Sequence, residues 1–131
     1  KSDSLLVSTE HKVEFSITIK VSYLTDGREW LVTSVYGPQV HANKIRFLEE
    51  IVEVGRNIQL PWILNGDFNL VCNEHESSTH RFNRRLTNIF RHTINSLGLH
   101  DMPLVGRRFT WCNEQEHTVM ARLDRLLFNN A

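Results

Sequence analysis

Apolar and polar residues alternate strictly near the start of this chain, and this pattern restricts the fold more than any other feature. The apolar positions are Val13, Phe15, Ile17, Ile19 and Val21. A period of two predicts a half-buried β-strand with one face on the core. The Asp26-Gly27 pair is typical of a hairpin turn, and a second apolar run over 30–36 ends at Gly37-Pro38. The sequence therefore predicts an antiparallel hairpin.

The apolar period changes to three and four after this hairpin, which is typical of amphipathic helices. The predicted elements are helices over 41–55 and 86–97 and strands over 60–65, 108–112 and 119–128. Gly55 and Gly98 stand where the two helices are expected to end. The order hairpin, helix, strand, helix, strand, strand predicts an α+β or layered α/β fold.

Size and composition fit one globular domain, which we expect to span residues 1–131. The formal net charge is zero, so there is no overall attraction to nucleic acid. No stretch approaches the ~20 apolar residues of a membrane span, and two cysteines do not make a disulfide framework. The chain begins without methionine and shows no signal-peptide core, so we expect an excised piece or a gene fragment.

Charge is unevenly distributed, because one segment is rich in arginine. Between Arg81 and Thr110 there are six arginines and a single acidic residue, Asp101. The arginines are Arg81, Arg84, Arg85, Arg91, Arg107 and Arg108. Such a cluster is typical either of a basic surface that contacts phosphate groups or of an ordinary solvated helix face.

A polar turn follows the apolar run Leu60–Leu64 and contains the sequence Gly66-Asp67-Phe68-Asn69. A carboxylate and a carboxamide are thereby placed together at the end of a buried strand, where α/β proteins commonly bind ligands. Asn, Gly and Asp are also common turn formers, so this motif alone fits an ordinary turn as well as a site.

Three further motifs accompany this turn. They are Val35-Tyr36-Gly37-Pro38, Arg108-Phe109-Thr110-Trp111 and Arg122-Leu123-Asp124-Arg125-Leu126-Leu127. The four motifs in this order resemble the endonuclease/exonuclease/phosphatase superfamily, and more narrowly the apurinic-type endonuclease domain of plant LINE-type (non-LTR) retrotransposons. The resemblance covers essentially the whole chain. It implies a partial four-layer α/β/β/α sandwich, with two packed, mainly antiparallel sheets flanked by helices.

The resemblance also implies a chemistry, the Mg²⁺-dependent hydrolysis of phosphodiester bonds. Carried over by position, Asp67 would orient or deprotonate the attacking water, and Asn69 would donate to a phosphate oxygen and hold Asp67 in place. Tyr36 would direct its hydroxyl at the scissile phosphate or the metal-bound leaving group. Asp124 would orient a catalytic histidine.

The partners and location of the chain are likewise implied only by the resemblance. DNA is the expected substrate, with Thr110 on the nucleic-acid-facing rim and Arg84 and Arg108 as further contacts. A reverse transcriptase domain in a parent polyprotein and an intracellular, nuclear site of action are expected on the same ground.

The asparagine of the family's first strand has no counterpart in these 131 residues, and neither have two further functional groups of the family. One is the glutamate that is the main metal ligand, since neither Glu10 nor Glu14 fits its motif. The other is the histidine of the closing Ser-Asp-His segment. We therefore assign no metal ligand and expect an incomplete domain that is inactive as it stands and marginally stable. Each such group alone is worth roughly 10²–10⁴ in rate.

Each of three site residues also has a structural interpretation. Tyr36 fits a strand-end aromatic that packs its ring, and Thr110 fits an ordinary β-former between two aromatic residues. Asp124 fits an exposed strand carboxylate that pairs with a neighbouring arginine.

Two other functional classes remain open. The first is a non-catalytic module that binds nucleic acid or a protein partner through the arginine-rich segment. The second is a zinc-stabilised module that uses Cys72, His75, Cys112 and His117. The spacing of these four residues is loose, and buried cysteines more often pack as small apolar side chains.

Overall fold

A computed structural model describes residues 4–79, 83–104, 106–113 and 119–131. The strands are β1 (Leu5–Lys12), β2 (Ser16–Tyr23), β3 (Glu29–Tyr36), β4 (Trp62–Asp67), β5 (His100–Asp101), β6 (Trp111–Cys112), β7 (Met120–Ala121) and β8 (Asp124–Phe128). The helices are α1 (His41–Gly55) and α2 (Arg84–Ser96), and a 3₁₀ turn covers Glu74–Glu76. The predicted mixed α+β class is confirmed.

Six strands form one mixed sheet in the order β1-β2-β3-β4-β8-β5. Strands β3 and β4 run parallel, and the other neighbouring pairs of this sheet are antiparallel. Strands β6 and β7 form a separate two-stranded sheet. Because β3 and β4 are parallel, their C-terminal ends lie at the same edge of the sheet, where the antiparallel β8 begins.

Both helices pack on one face of the six-stranded sheet. Rings of Phe47 in α1, Phe68 after β4 and Phe90 in α2 form a chain with centroid separations of 6.2 and 5.4 Å. They share one buried cluster with Leu64 and Leu127. Burial of such a side chain contributes roughly 1.5–3 kcal/mol, so this layer is the core. Neither described helix has the length and apolar character needed to cross a bilayer.

The strand predicted from the alternating pattern is present as β2, but its face toward the helices is polar. Ser16 and Thr18 are buried there, whereas Ile17 on the other face is 44% exposed. Hydrogen bonds make this burial tolerable: Ser16 Oγ donates to Glu50 at 2.6 Å, and the Thr18 and Thr33 hydroxyls lie 2.8 Å apart. The alternation therefore predicted the strand correctly, and Val21 of the apolar row is buried, but the side of β2 that faces the helices carries the polar row.

Several strand boundaries also differ from the prediction. Strand β4 begins and ends two residues later than expected, and only β6 forms within 108–112. The predicted run 119–128 is divided into β7 and β8. It divides because Arg122 N–H donates to the Glu76 carbonyl, and the Leu123 carbonyl accepts from Phe68 N–H, each outside the ladder. Strands β1 and β5 are not predicted, since β1 is exposed throughout and β5 has two residues.

Candidate active site

Three of the predicted catalytic residues stand side by side on neighbouring strands. Tyr36 of β3 is the register partner of Asp67 of β4, and Asp67 is the register partner of Asp124 of β8. Paired residues of neighbouring strands project from the same face of a sheet. Leu64 points into the helical core, so Asp67, three residues later, points to the opposite face. We call Tyr36, Asp67 and Asp124 the Tyr-Asp-Asp row.

The turn after β4 holds the carboxylate of Asp67. The Asn69 N–H donates to Asp67 Oδ1 at 2.9 Å, and Asn69 adopts a left-handed φ of 52°, which asparagine tolerates better than most residues. The Asn69 side-chain amide donates to the Gly37 carbonyl, directly after Tyr36. Asn69 thus holds Asp67 through its backbone amide, while its side chain joins the ends of β3 and β4.

Close backbone contacts explain the glycines of two motifs. Gly66 has a φ of +132°, and a Cβ at this position would lie 2.1 Å from the Val35 carbonyl oxygen. A Cβ at Gly37 would lie 2.3 Å from the Phe68 carbonyl oxygen. No side chain fits at either distance, so β3 and β4, and the segments that follow them, approach this closely only with glycine at both positions.

Lys44 of α1 belongs to the site, although the sequence analysis missed it. Its Nζ donates to the Asn69 carbonyl at 2.7 Å. Lys44 and Asn69 line one cavity of about 490 Å³, which Trp111 also lines. Burial lowers the pKa of Lys44, and the nearby Asp67 carboxylate opposes this shift. Lys44 is remote in sequence from the four motifs and lies on an otherwise ordinary helix, so no sequence pattern indicated it.

The environment of Asp67 makes it more basic than an ordinary aspartate. Partial burial raises its pKa, and the Asp124 carboxylate raises it further because two negative charges repel. The hydrogen bond from Asn69 N–H and the positive charge of Lys44 act in the opposite direction. A carboxylate with a raised pKa is a better proton acceptor, as a general base requires.

Two substitutions are expected to move the pKa of Asp67 in opposite directions. Asp124→Asn removes a negative charge and should lower this pKa, whereas Lys44→Met removes a positive charge and should raise it. Carboxyl-carbon NMR titration of Asp67 measures both shifts. Asp26→Asn, in the β2–β3 turn, serves as the control and should leave the titration unchanged. Shifts of the same sign for Asp124→Asn and Lys44→Met would contradict this electrostatic description.

For Tyr36 and Asp124 the sequence allows a catalytic role or a purely structural role, and the structure bears on the structural one. Tyr36 is 66% exposed, so its ring is not packed at the strand end and its hydroxyl is accessible. Asp124 is exposed, but among the described residues it forms no ion pair. The neighbouring Arg125 instead contacts Glu76 and Asp101. The structural alternatives for both residues are therefore wrong, and their catalytic roles stay predictions.

Thr110 holds the start of β8. Its Oγ1 accepts hydrogen bonds from the Leu123 and Asp124 backbone N–H groups at 2.8 and 3.1 Å. Thr110 lies directly before β6 and not in a strand, so its structural role is to fix the backbone of Asp124 through its hydroxyl and not to act as a β-former. The hydroxyl proton remains able to donate, so the predicted nucleic-acid contact of Thr110 stays a prediction.

Three arginines of the basic segment contact the turn that follows Asn69. Arg84 lies 3.7 Å from Glu74, and Arg108 donates to the His75 carbonyl at 3.0 Å. Arg91 donates to the Cys72 carbonyl at 3.1 Å. We call Arg84, Arg91 and Arg108 the arginine cluster. Arg81, also predicted to belong to this face, lies outside the described residues.

The described residues do not make a complete metal site. No group of three or more His, Cys, Asp or Glu in the described ranges is arranged to hold an ion. Magnesium is commonly bound through one or two carboxylates together with water and substrate phosphate, and Asp67 and Asp124 alone would supply the carboxylates here. Two carboxylates without a third His, Cys, Asp or Glu ligand among the described residues do not by themselves indicate a metal site, so no Mg²⁺ ligand is assigned. Of the proposed zinc ligands, Cys72 is buried, Cys112 is exposed and His117 lies outside the described residues.

A sequence model of the endonuclease/exonuclease/phosphatase family matches residues 5–131. The chain belongs to this family. No curated protein matches it in sequence. The match includes all four motifs on which the resemblance was based, and the family is generally metal-dependent.

Solved structures of other proteins share the fold at low sequence identity. The endonuclease domain of TRAS1, a telomere-specific non-LTR retrotransposon, superposes with a TM-score of 0.77 at 18% identity, over 96% of this chain and 56% of that domain. TDP2 of D. rerio in complex with a single-stranded DNA product gives a TM-score of 0.58 at 12% identity, over 95% of this chain and 54% of that one. For the human Nocturnin catalytic domain the TM-score is 0.57 at 12% identity, with coverage of 95% and 48%. The chain thus spans about half the length of these proteins.

Proposed function

We propose that this chain is part of a DNA endonuclease domain that hydrolyses phosphodiester bonds, from a LINE-type (non-LTR) retrotransposon. The observation that carries the proposal is the Tyr-Asp-Asp row, with Asn69 bonded to its central carboxylate. A base, a hydroxyl and a second carboxylate at one accessible sheet edge are what attack of water on a phosphodiester requires.

The roles of the row follow from the chemistry of its members. Asp67, with its raised pKa, orients and deprotonates the attacking water. The exposed hydroxyl of Tyr36 donates to the phosphate or the leaving oxygen. Lys44, beside Asn69, adds a positive charge where the transition state gathers negative charge. Asp124 orients a histidine that these 131 residues do not supply in the family's sequence context.

Nucleic acid is favoured as the substrate by the character of the relatives. The TRAS1 domain is an endonuclease of a retrotransposon, and TDP2 was solved with a DNA product. The Phe-Thr-Trp and Leu-Asp-Arg motifs make the plant LINE elements the favoured source, with a reverse transcriptase in the same polyprotein. Magnesium is the proposed ion, with its ligand set incomplete in this chain.

By themselves these 131 residues are proposed to be inactive, because the glutamate and the histidine of the family have no counterpart in them. A supercoiled plasmid and a duplex with one abasic site, each with Mg²⁺ or EDTA, test this. We expect nicking by the folded chain to equal that of Asp67→Ala. Mg²⁺-dependent nicking that Asp67→Ala removes and Asp26→Ala keeps would disprove the inactivity and directly support the endonuclease assignment.

A second candidate function is binding of nucleic acid without hydrolysis. The arginine cluster favours it, because three positively charged side chains surround one turn next to the proposed site. Such a surface would contact phosphates independently of the Tyr-Asp-Asp row, and its affinity would fall steeply with salt. The two candidates differ in where DNA contacts the chain.

A further inference from the structure

Four charged side chains form a buried cluster between the turn after Asn69 and strand β8. They are Glu76, Asp101, Arg122 and Arg125. The Arg125 side chain is 0% exposed and that of Glu76 is 6% exposed. Burial of a charge is costly unless it is paired and hydrogen-bonded, and here two acids balance two arginines. The pair of Glu76 and Arg125 is therefore part of the folded interior, whereas the Asp101 side chain at the edge of the cluster is 28% exposed.

Glu76 contacts both the turn after Asn69 and strand β8. Its Oε1 accepts a hydrogen bond from the Cys72 N–H at 2.7 Å, shortly after Asn69 in the chain. The two carboxylate oxygens also accept from the two terminal nitrogens of Arg125, the residue after Asp124. A single carboxylate thus joins the segment behind Asp67 to the strand that carries Asp124.

Other contacts restrict Arg125 to this arrangement. Its Nη1 also donates to Asp101 Oδ2 at 2.5 Å, and its guanidinium lies 5.5 Å from the ring centroid of Phe90. The Arg125 Nε has no hydrogen-bond partner among the described residues. The guanidinium therefore depends on the two carboxylates and the aromatic face, and loss of Glu76 removes the contact that reaches the active-site turn.

We propose that Glu76 is a positioning residue: by holding the Cys72 amide and Arg125 together, it fixes the Asp124 carboxylate relative to the Asp67 carboxylate. The catalytic meaning of this inference rests on the proposed function, whereas its geometric content does not require turnover. Burial disfavours the charged form of Glu76, but the hydrogen bonds from Arg125 outweigh it and lower its pKa. The Glu76 carboxylate therefore stays ionised at neutral pH.

The electrostatic coupling between Asp67 and Asp124 tests this inference without DNA or turnover. The downward shift in the Asp67 pKa on Asp124→Asn is measured by carboxyl-carbon NMR in the parent and in Glu76→Gln. We expect Glu76→Gln to reduce this shift to about half or less, because only the β4–β8 ladder and Thr110 then position Asp124, without the contact between Glu76 and Arg125. Glu76→Asp keeps the charge but shortens the reach, so it provides a second variant if Glu76→Gln does not fold, with a reduced shift expected again.

Glu50→Gln is the matched control for a nonspecific loss of rigidity of the fold. Glu50 is also a partly buried carboxylate that accepts from a backbone amide and a hydroxyl, but it holds the start of β2. Its substitution should leave the Asp67–Asp124 coupling unchanged. An unchanged coupling in a folded Glu76 variant, or an equal reduction in Glu50→Gln, would overturn the inference. Absence of nicking would bear on the proposed function and not on this result.

Discussion

Arg125→Met is expected to lower the free energy of unfolding by about 3–5 kcal/mol, the typical result of removing one partner from a buried ion pair. Methionine fills similar space but leaves the Glu76 carboxylate, which is 6% exposed, without its main counterion. Asp101 loses a partner as well, although Arg122 still contacts it at 2.9 Å. Urea unfolding at neutral pH, followed by circular dichroism, measures the change.

Arg28→Met is the control for the Arg125 substitution, because it makes the same chemical change in an exposed ion pair. Arg28 lies 2.7 Å from Asp26 in the β2–β3 turn, and both side chains are largely solvated. Such pairs contribute little to stability, so the urea midpoint should barely move. Equal losses for Arg125→Met and Arg28→Met would show that the buried cluster contributes no more than a surface pair.

Gly66→Ala is expected to lower the free energy of unfolding by about 3 kcal/mol or more, through backbone strain and steric overlap together. The new Cβ would lie 2.1 Å from the Val35 carbonyl oxygen, and the backbone φ is +132°. The overlap is with backbone, which cannot move aside without separating β3 from β4. The same displacement would move Asp67 away from Tyr36, so the row is expected to lose its register.

Gly27→Ala separates the steric part of this effect from the conformational part. Gly27 also has a positive φ, +75°, but no atom outside its chain neighbours would lie within 4 Å of a Cβ added there. Its substitution is expected to cost about 1–2 kcal/mol, the usual penalty for a left-handed alanine. If both glycine substitutions cost the same, the contact with Val35 does not determine why glycine stands at position 66.

Sequence periodicity predicted the helices more accurately than the strands. The stripe that contains Phe47, Leu48 and Ile51 reports burial directly, because one face of α1 meets the core. In β2 the apolar row does not mark the face that packs on the helices. Hydrogen bonds allow the polar residues Ser16 and Thr18 to be buried there instead. Strand β1 has no buried residue to mark it, so its sequence shows no alternation that predicts a half-buried strand.

The sequence indicated the site only where short motifs carry it. Tyr36, Asp67, Asn69 and Asp124 each stand in a recognisable local pattern, and the strand register places three of them in one row. The pairing of Glu76 with Arg125 joins residues 49 positions apart, and the sequence around either residue does not indicate which residue it contacts. Contacts of this kind depend on tertiary packing, which a single sequence does not reveal.

The most direct test of the proposed site is an NMR map of DNA binding to the folded chain. A short duplex with one abasic site is added in the presence of Mg²⁺, and backbone amide shifts are followed. We expect the largest changes at Asp67, Asn69 and Asp124, with Asp26 in the distant turn unchanged. Changes confined to the arginine cluster, with the Tyr-Asp-Asp row unaffected, would contradict the endonuclease site and favour binding without hydrolysis.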